Sequence, residues 1–391
     1  MLIYDKIHGY IDIDDISTSI INTPVFQRLK NIHQTGLLYF VYPTANHTRF
    51  EHSIGTYYLA NLMINKLANK YPRLNITKEI IFIVSVAGLC HDLGHLIYSH
   101  FFDNIFLKSL TNYKILNKMT KNTVHENRSI NFLYYIIKKY KIDINQDQFQ
   151  VISDLINPYE ANYNKWKPQY QIGKWIFQII ANPVNYIDVD KFDYITRDIK
   201  AIGLSYEFNY INIINNANII DNNIYYSTDC TYDIYNMFLL RYSLHKEIYN
   251  HKIVKAIELL ILNLLLELEK EFNISAYLFD IEKLFLLDDL YIWNQLVNEN
   301  IKIIINNIQE KKFPILVYET ILLNKNDFDY IEKIFKNKLD NKIYRIVKTC
   351  IENLDKYNDS KIIFQYEYIF KIYCMELSQL NILINFIKKF K

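Results

Sequence analysis

The segment Ala87-Gly-Leu-Cys-His-Asp-Leu-Gly-His95 sets an imidazole beside a carboxylate, His91 and Asp92, in an otherwise apolar stretch. Burying either group is costly unless it is satisfied, and a cation that accepts a neutral nitrogen and a charged oxygen satisfies both. On a continuous helix His95 shares the face of His91, and Gly94 leaves room for a close approach. Arg49-Phe-Glu-His52 places a fork suited to phosphate on the same face as a second candidate ligand. Asp190, Tyr194 and Asp198 recur at i, i+4 and i+8, and Arg241, His245 and Tyr249 repeat that spacing, with Lys252 near the same stripe. Four helices with such stripes need a shared polar cavity, and a bundle interior is where metal and cofactor sites are built. Taken singly, each feature reads as structure: a satisfied His-Asp pair, an ion-paired Arg49, a solvated face over 190–198, packing tyrosines. Their joint occurrence is what points to a cation site adjoining an anion site.

The elements that must carry these residues are helical. Apolar positions recur at helical spacing from Thr48 to about Lys70 and again from Ile81 to Leu93, so adjacent helices carry the first histidines. Further helical patterns cover about 125–140, 147–156, 171–181, 188–199 and 231–270, with a helix near Pro24–Ile32 and a short hairpin over Ile219–Tyr226. Beyond about 270, helix and strand alternate, as in Phe313–Leu322 and Lys361–Tyr373, with no motif tied to chemistry. The expected architecture is mainly α: a helical core over 1–255 and a smaller mixed α/β lobe over 256–391.

Composition excludes several classes. Only 7 Gly and 7 Pro in 391 residues argue for long regular elements rather than disorder. Basic and acidic residues nearly balance at 44 and 42, so no global field marks a nucleic-acid binder. The lysine pairs Lys138-Lys139 and Lys311-Lys312 read most simply as solvated faces, which leaves nucleic-acid binding open. Cys90, Cys230, Cys350 and Cys374 lack CxxC spacing and read as reduced thiols. The N-terminus has no signal-peptide pattern, and no apolar run reaches the roughly 18 to 20 residues of a membrane span. The expectation is a protein of the cytoplasm or nucleus with no membrane association.

The segments Asn22–Lys30, Tyr42–Gly55, Ala87–His95 through His100, and Ile187–Tyr194 closely resemble the HD-domain deoxynucleoside triphosphate triphosphohydrolases. The likeness is greatest to the eukaryotic members that carry SAM and HD domains, with no SAM-like domain ahead of it here. It runs from about residue 3 to about 255. The resemblance implies a divalent metal held by His52, His91, Asp92 and Asp190, with Mn, Fe, Zn and Mg all compatible with two imidazoles and two carboxylates. It implies that His95 contacts phosphate and that His100 and His125, with Asp103, move the proton at the ester bond. Arg49, Lys191, Tyr194 and Arg241 match the phosphate-binding set. Gln34 and Asp198 match groups that hold the sugar 3′-hydroxyl, Tyr249 packs on the sugar, and Asn250 and His251 lie near base and sugar. The implied partners are a nucleoside triphosphate substrate and a second copy of the chain, a dimer being the default oligomer.

Some positions depart from the regulated family pattern. Thr35 stands where a leucine beside the sugar-reading glutamine is usual; Asn22 and Lys30 replace an acidic residue and an arginine used to bind an activating guanine nucleotide; and Ser227–Cys230 lacks basic residues. Two rivals to triphosphohydrolysis follow from the residues: an HD phosphatase or phosphodiesterase on another nucleotide, and a nucleotide-binding module without turnover.

Overall fold

The computed structural model describes residues 1–295, 298–322, 325–338, 344–358, 361–375 and 377–390. They form two compact units: Met1–Met237 with Asn273–Tyr291, and Phe238–Phe272 with Ile292–Lys391. Position 255 lies inside helix Lys252–Phe272. The chain passes between units within helices Thr231–Ser243 and Asp289–Trp293 and at the end of Lys252–Phe272, so no linker composition marks the passage. The whole is mainly helical, with three small antiparallel sheets among the described residues.

The first unit is built on helices Arg49–Lys70, Lys78–Cys90, His125–Tyr140, Gln146–Ile156 and Val189–Ala201. Helix Arg49–Lys70 starts where the Glu51 carboxylate accepts from Thr48 N at 2.8 Å. It lies close against Lys78–Cys90 because Gly88 has no side chain: a Cβ there would stand 2.9 Å from Ala60 Cβ and 3.0 Å from Thr56 O. Its other neighbour is Val189–Ala201, which Asp188 caps by accepting from Lys191 N at 3.1 Å. These two helices approach at Gly55, where a Cβ would fall 1.9 Å from Asp193 Oδ1.

The helix expected over Ile81–Leu93 ends at Cys90, and His91 to Ser99 runs through turns. His91 Nδ1 takes the Gly88 carbonyl at 2.8 Å that the next helical N–H would use, and buried guanidinium groups then hold the carbonyls of the turns that follow. Arg28 donates to Leu93 O at 2.6 Å and His95 O at 2.8 Å, and Arg128 donates to Gly94 O at 2.7 Å. His95 is therefore brought in by a turn and not by an i+4 step. The expected helix near Pro24–Ile32 is one turn, Pro24–Gln27, followed by the 3-10 turn Arg28–Asn31, and 171–181 contains only the 3-10 segment Lys174–Gln178. Hairpins Leu2–Asp5 with Gly9–Asp12 and Ala217–Ile220 with Asn223–Tyr226 complete the unit, the second matching the expected one.

The pattern expected over 231–270, which begins in the first unit and continues in the second, is interrupted. Helix Thr231–Ser243 gives way to a π-helical turn, Leu244–Tyr249, before helix Lys252–Phe272 begins. The extra residue of a π-turn shifts the helical register, so Arg241 and Tyr249 do not form the simple stripe that i, i+8 spacing suggests. A three-stranded antiparallel sheet places Lys361–Cys374 between Ile315–Leu322 and Tyr344–Asn358. Phe370, Ile372, Leu383 and Ile387 bury a core between this sheet and helix Leu380–Phe390. Among the described residues no helix is long and apolar enough to cross a membrane. Cys90, Cys230 and Cys374 are buried free thiols; the Cys350 side chain lies outside the described residues.

Candidate functional site

His52 rises from the first turn of helix Arg49–Lys70, His91 sits at the end of Lys78–Cys90, and Asp190 stands in the first turn of Val189–Ala201. Their ligating atoms come within 4.8 Å of one another. His52 Nδ1 is bonded to Asp193 Oδ2 at 2.7 Å, and His91 Nδ1 to Gly88 O at 2.8 Å. Each acceptor requires the proton on Nδ1, so the neutral ring presents its lone pair at Nε2. Both Nε2 atoms are buried and make no hydrogen bond. Asp190 Oδ1 lies 3.0 Å from His52 Nε2 and 3.5 Å from His91 Nε2. Asp92 Oδ2 lies 3.3 Å and 3.5 Å from the same two atoms, so the four expected ligands converge.

Charge in this pocket is unbalanced toward the acids. Burial pushes His52 and His91 down, but Asp190, Asp193 and Asp92 outweigh it for His52, and Asp92 and Asp190 do so for His91; both imidazoles stand above their ordinary range. Burial would raise the Asp190 carboxyl, yet the two imidazoles hold it far below the usual range. The carboxylates thus demand positive charge, which protons or a cation can supply. Two orphaned lone pairs facing two carboxylates fit a metal ion.

A second group adjoins the first through Asp92. His95 Nε2 lies 3.2 Å from Asp92 Oδ1, and the His95 ring stacks on His125 with centroids 4.0 Å apart. His100 meets both edge-on at 4.8 and 5.3 Å, and nitrogens of all three come within 4.8 Å of one another. Asp103, placed by a π-helical turn over Phe102–Leu107, lies 3.4 Å from His125 Nδ1 and accepts from Arg128 at 2.6 Å. Burial lowers His125, but Asp103, Glu126 and Asp92 outweigh it and raise it above the ordinary imidazole value. His95 is pushed well below that value by burial, Arg49 and His125. The group therefore contains an imidazole that favours its proton beside one that refuses it.

The other sequence-derived residues are differently disposed. The Arg49 guanidinium is buried and engaged with Asp92, with Ser99 Oγ at 2.9 Å and with Gln34 O at 3.2 Å. Lys191 Nζ donates to Asp188 at 2.8 Å. Gln34 Oε1 and Thr35 Oγ1 are buried with no hydrogen-bond partner. Asp198 pairs with His47 Nε2 at 2.6 Å. Tyr194 lies on the same helix as Asp190 and Asp198. Arg241, Tyr249, Asn250 and His251 belong to the second unit, where Asn250 O accepts from buried Lys371 at 2.6 Å and Asn250 Oδ1 from Thr349 at 2.9 Å.

Sequence reasoning missed the residues that orient these groups. Asp193 is fully buried and accepts from His52, from His8 Nε2 at 2.7 Å, and from Arg197 at 2.9 and 2.8 Å. Asp5 in the N-terminal hairpin holds Arg197 at 2.9 Å and the backbone N–H of Ile7 and His8. The i, i+4 pair Asp193 and Arg197 was the available signal, but its other partners, His52, His8 and Asp5, lie far away in the chain.

A helical unit whose histidines and aspartates converge on one polar pocket is the architecture of an HD-type domain, and residues 49–195 match the HD domain family. The HD domain-containing protein L394 of Acanthamoeba polyphaga mimivirus is 33% identical over 366 residues, covering 89% of this chain and 73% of that protein. The deoxynucleoside triphosphate triphosphohydrolase SAMHD1 homolog of Dictyostelium discoideum is 33% identical, covering 91% of this chain and 61% of that protein. Human deoxynucleoside triphosphate triphosphohydrolase SAMHD1 is 33% identical, with coverages of 70% and 46%, so the chain spans about half to three-fifths of the length of these two enzymes. The chain belongs to the HD-domain protein family.

Proposed function

We propose that this chain is a metal-dependent HD phosphohydrolase that converts deoxynucleoside triphosphates to deoxynucleoside and inorganic triphosphate. The observation that carries this reading is the convergence of the orphaned His52 and His91 Nε2 atoms with Asp92 and Asp190, beside a histidine group that can move a proton. His52, His91, Asp92 and Asp190 would hold a divalent cation, which supplies Lewis acidity at the phosphoryl group. His125 is the proton donor to the leaving 5′ oxygen, kept charged by Asp103, while neutral His95 faces the phosphate. His100 is the remaining proton-transfer residue, and because burial, Arg49 and His125 push its imidazole down to about 3 it serves as an acceptor rather than a donor. Arg49, Lys191, Tyr194 and Arg241 bind phosphate, Gln34 and Asp198 the sugar, and Tyr249 packs on it. For Arg49 and Lys191 this means sharing the partners Asp92 and Asp188. Residues 1–255 supply this machinery, and the protein acts inside the cell, as a homo-oligomer.

The ion pair between Lys191 and Asp188 favours the rival reading of a phosphatase or phosphodiesterase on a nucleotide with fewer phosphates, since it occupies a phosphate-binding cation. Chromatography of products after incubation with each deoxynucleoside and ribonucleoside triphosphate, in Mg or Mn, separates the two. Free nucleoside with intact triphosphate is expected. Orthophosphate or pyrophosphate would replace the proposal with the rival, and a folded protein without turnover would leave a binding module.

A further inference from the structure

The turn between His95 and His100 contains two consecutive non-glycine residues in the left-handed region, Tyr98 at φ 52° and Ser99 at φ 60°. Side chains at such angles crowd the backbone, and the conformation persists only where surrounding bonds over-determine it. The turn supplies the step that brings His100 edge-on to His95 and His125.

The bonds that hold it come from three directions. Ser99 Oγ donates to His33 O at 2.8 Å and accepts from Arg49 Nε at 2.9 Å. The Tyr98 N–H donates to Asp289 Oδ1 at 2.6 Å. Asp289 Oδ2 accepts from both the His33 N–H at 2.9 Å and His33 Nδ1 at 2.7 Å. Asp289 is buried, and no lysine or arginine is paired with it among the described residues. Its carboxylate is spent on backbone and ring N–H groups of two segments flanking the site.

We propose that Asp289 is a positioning residue for the hydrolytic reaction: it locks the Tyr98–Ser99 turn to the His33 segment and so sets His95, His100 and Arg49 in place. The residue comes from Asn273–Tyr291, a stretch that returns to the first unit from far along the chain. It touches none of the four residues expected to hold metal. Its loss should therefore disturb proton transfer and phosphate alignment while leaving metal binding intact. The proposal rests on the phosphohydrolase reading for its kinetic consequence but not for its structural one.

The test compares Asp289→Asn with Asp288→Ala. An amide has one acceptor oxygen and presents N–H where an acceptor is needed, so either the Tyr98 or the His33 donor loses its partner. Asp288 sits in the same turn and accepts from Asn31 at 2.8 Å and from the Leu290 and Tyr291 N–H groups at 3.1 and 3.2 Å without reaching 98–99, so its replacement loosens the same turn and controls for general loosening. Expected for Asp289→Asn is a fall in kcat on the order of 10- to 100-fold, the scale for misplaced reacting groups. KM should change much less, and metal content by atomic absorption should match the native protein. Hydrogen exchange at the Tyr98 and Ser99 amides should quicken while that in helix Arg49–Lys70 stays unchanged. Asp288→Ala should keep native kcat. A kcat for Asp289→Asn within twofold of native, an equal fall in Asp288→Ala, or loss of metal in Asp289→Asn would overturn the proposal. If Asp289→Asn does not accumulate folded, Asp289→Ser, which adds no N–H group, carries the same expectations. Should the native protein hydrolyse no nucleotide, the functional reading fails, and hydrogen exchange alone decides: unchanged protection at Tyr98 and Ser99 would sink the positioning role.

Discussion

Replacing Asp193 with asparagine tests the proposed metal centre through a residue outside its four candidate ligands. The native carboxylate has no solvent exposure and receives four N–H groups: one each from His52 and His8, and two from Arg197. Burial works against its charge, but Arg197, His52 and His8 hold its carboxyl well below the usual range. Asparagine keeps a single acceptor oxygen, so about half of these donors lose their acceptor and some face an N–H group. Breaking a buried ion pair costs about 3–5 kcal/mol. Arg197 retains Asp5, which puts the expected loss of stability near the lower end, about 3 kcal/mol. If His52 Nδ1 is among the donors left unmatched, the ring loses what fixes its tautomer and aim. Loss of such an outer partner weakens metal binding about 10- to 100-fold, or ~1.4–2.8 kcal/mol at 1.4 kcal/mol per factor of ten. Equilibrium dialysis against a series of Mn or Zn concentrations measures the affinity, and urea denaturation of the metal-free protein measures the stability. Native affinity in a variant that has lost stability would refute the claim that Asp193 orients His52 toward a metal.

Three further outcomes follow from the site. A general acid must carry its proton, so with His125 raised above its ordinary value of 6.5 kcat should hold at neutral pH and fall as pH rises through the raised value; His125→Gln should lower kcat about 10²- to 10⁴-fold and abolish that alkaline limb, and an unaltered limb would remove His125 from the role. Because the buried Thr35 hydroxyl has no partner, Thr35→Leu should increase discrimination against ribonucleotides, measured as the ratio of kcat/KM values, whereas an unchanged ratio would show that this position does not read the sugar. Asn22 lacks the charge of an acidic guanine acceptor and the Lys30 ammonium lies over Phe50, so hydrolysis of a single deoxynucleotide should proceed without GTP. Strict GTP dependence with a nucleotide-driven change of mass in light scattering would contradict it.

The helical class and the main helices were legible because apolar periodicity is a local property. Helix Arg49–Lys70 and helix His125–Tyr140 each carry their own buried stripe and appear where the spacing places them. Where local pattern and tertiary contact disagree, contact prevails. The apolar run over Ile81–Leu93 predicts three more helical residues than form, because His91 Nδ1 takes the Gly88 carbonyl that the next helical N–H would use, and Leu93 N turns to Cys90 O instead. The passages between the two units leave no mark in composition because two fall within helices Thr231–Ser243 and Asp289–Trp293 and one at the end of Lys252–Phe272, none of them in a Pro- or Gly-rich linker.

The sequence offered His52, His91, Asp92 and Asp190 as candidate metal ligands through the ordered motifs that carry the family resemblance. Only the tertiary structure decided which groups aim them. His52 is oriented by Asp193 across 141 positions, His8 reaches Asp193 across 185, His47 meets Asp198 across 151, and Asp289 holds His33 across 256. Such pairings leave no period and no spacing in the chain. They are chosen when the core closes, because a carboxylate or imidazole leaving water must find whatever complementary donor or acceptor the packing brings to it.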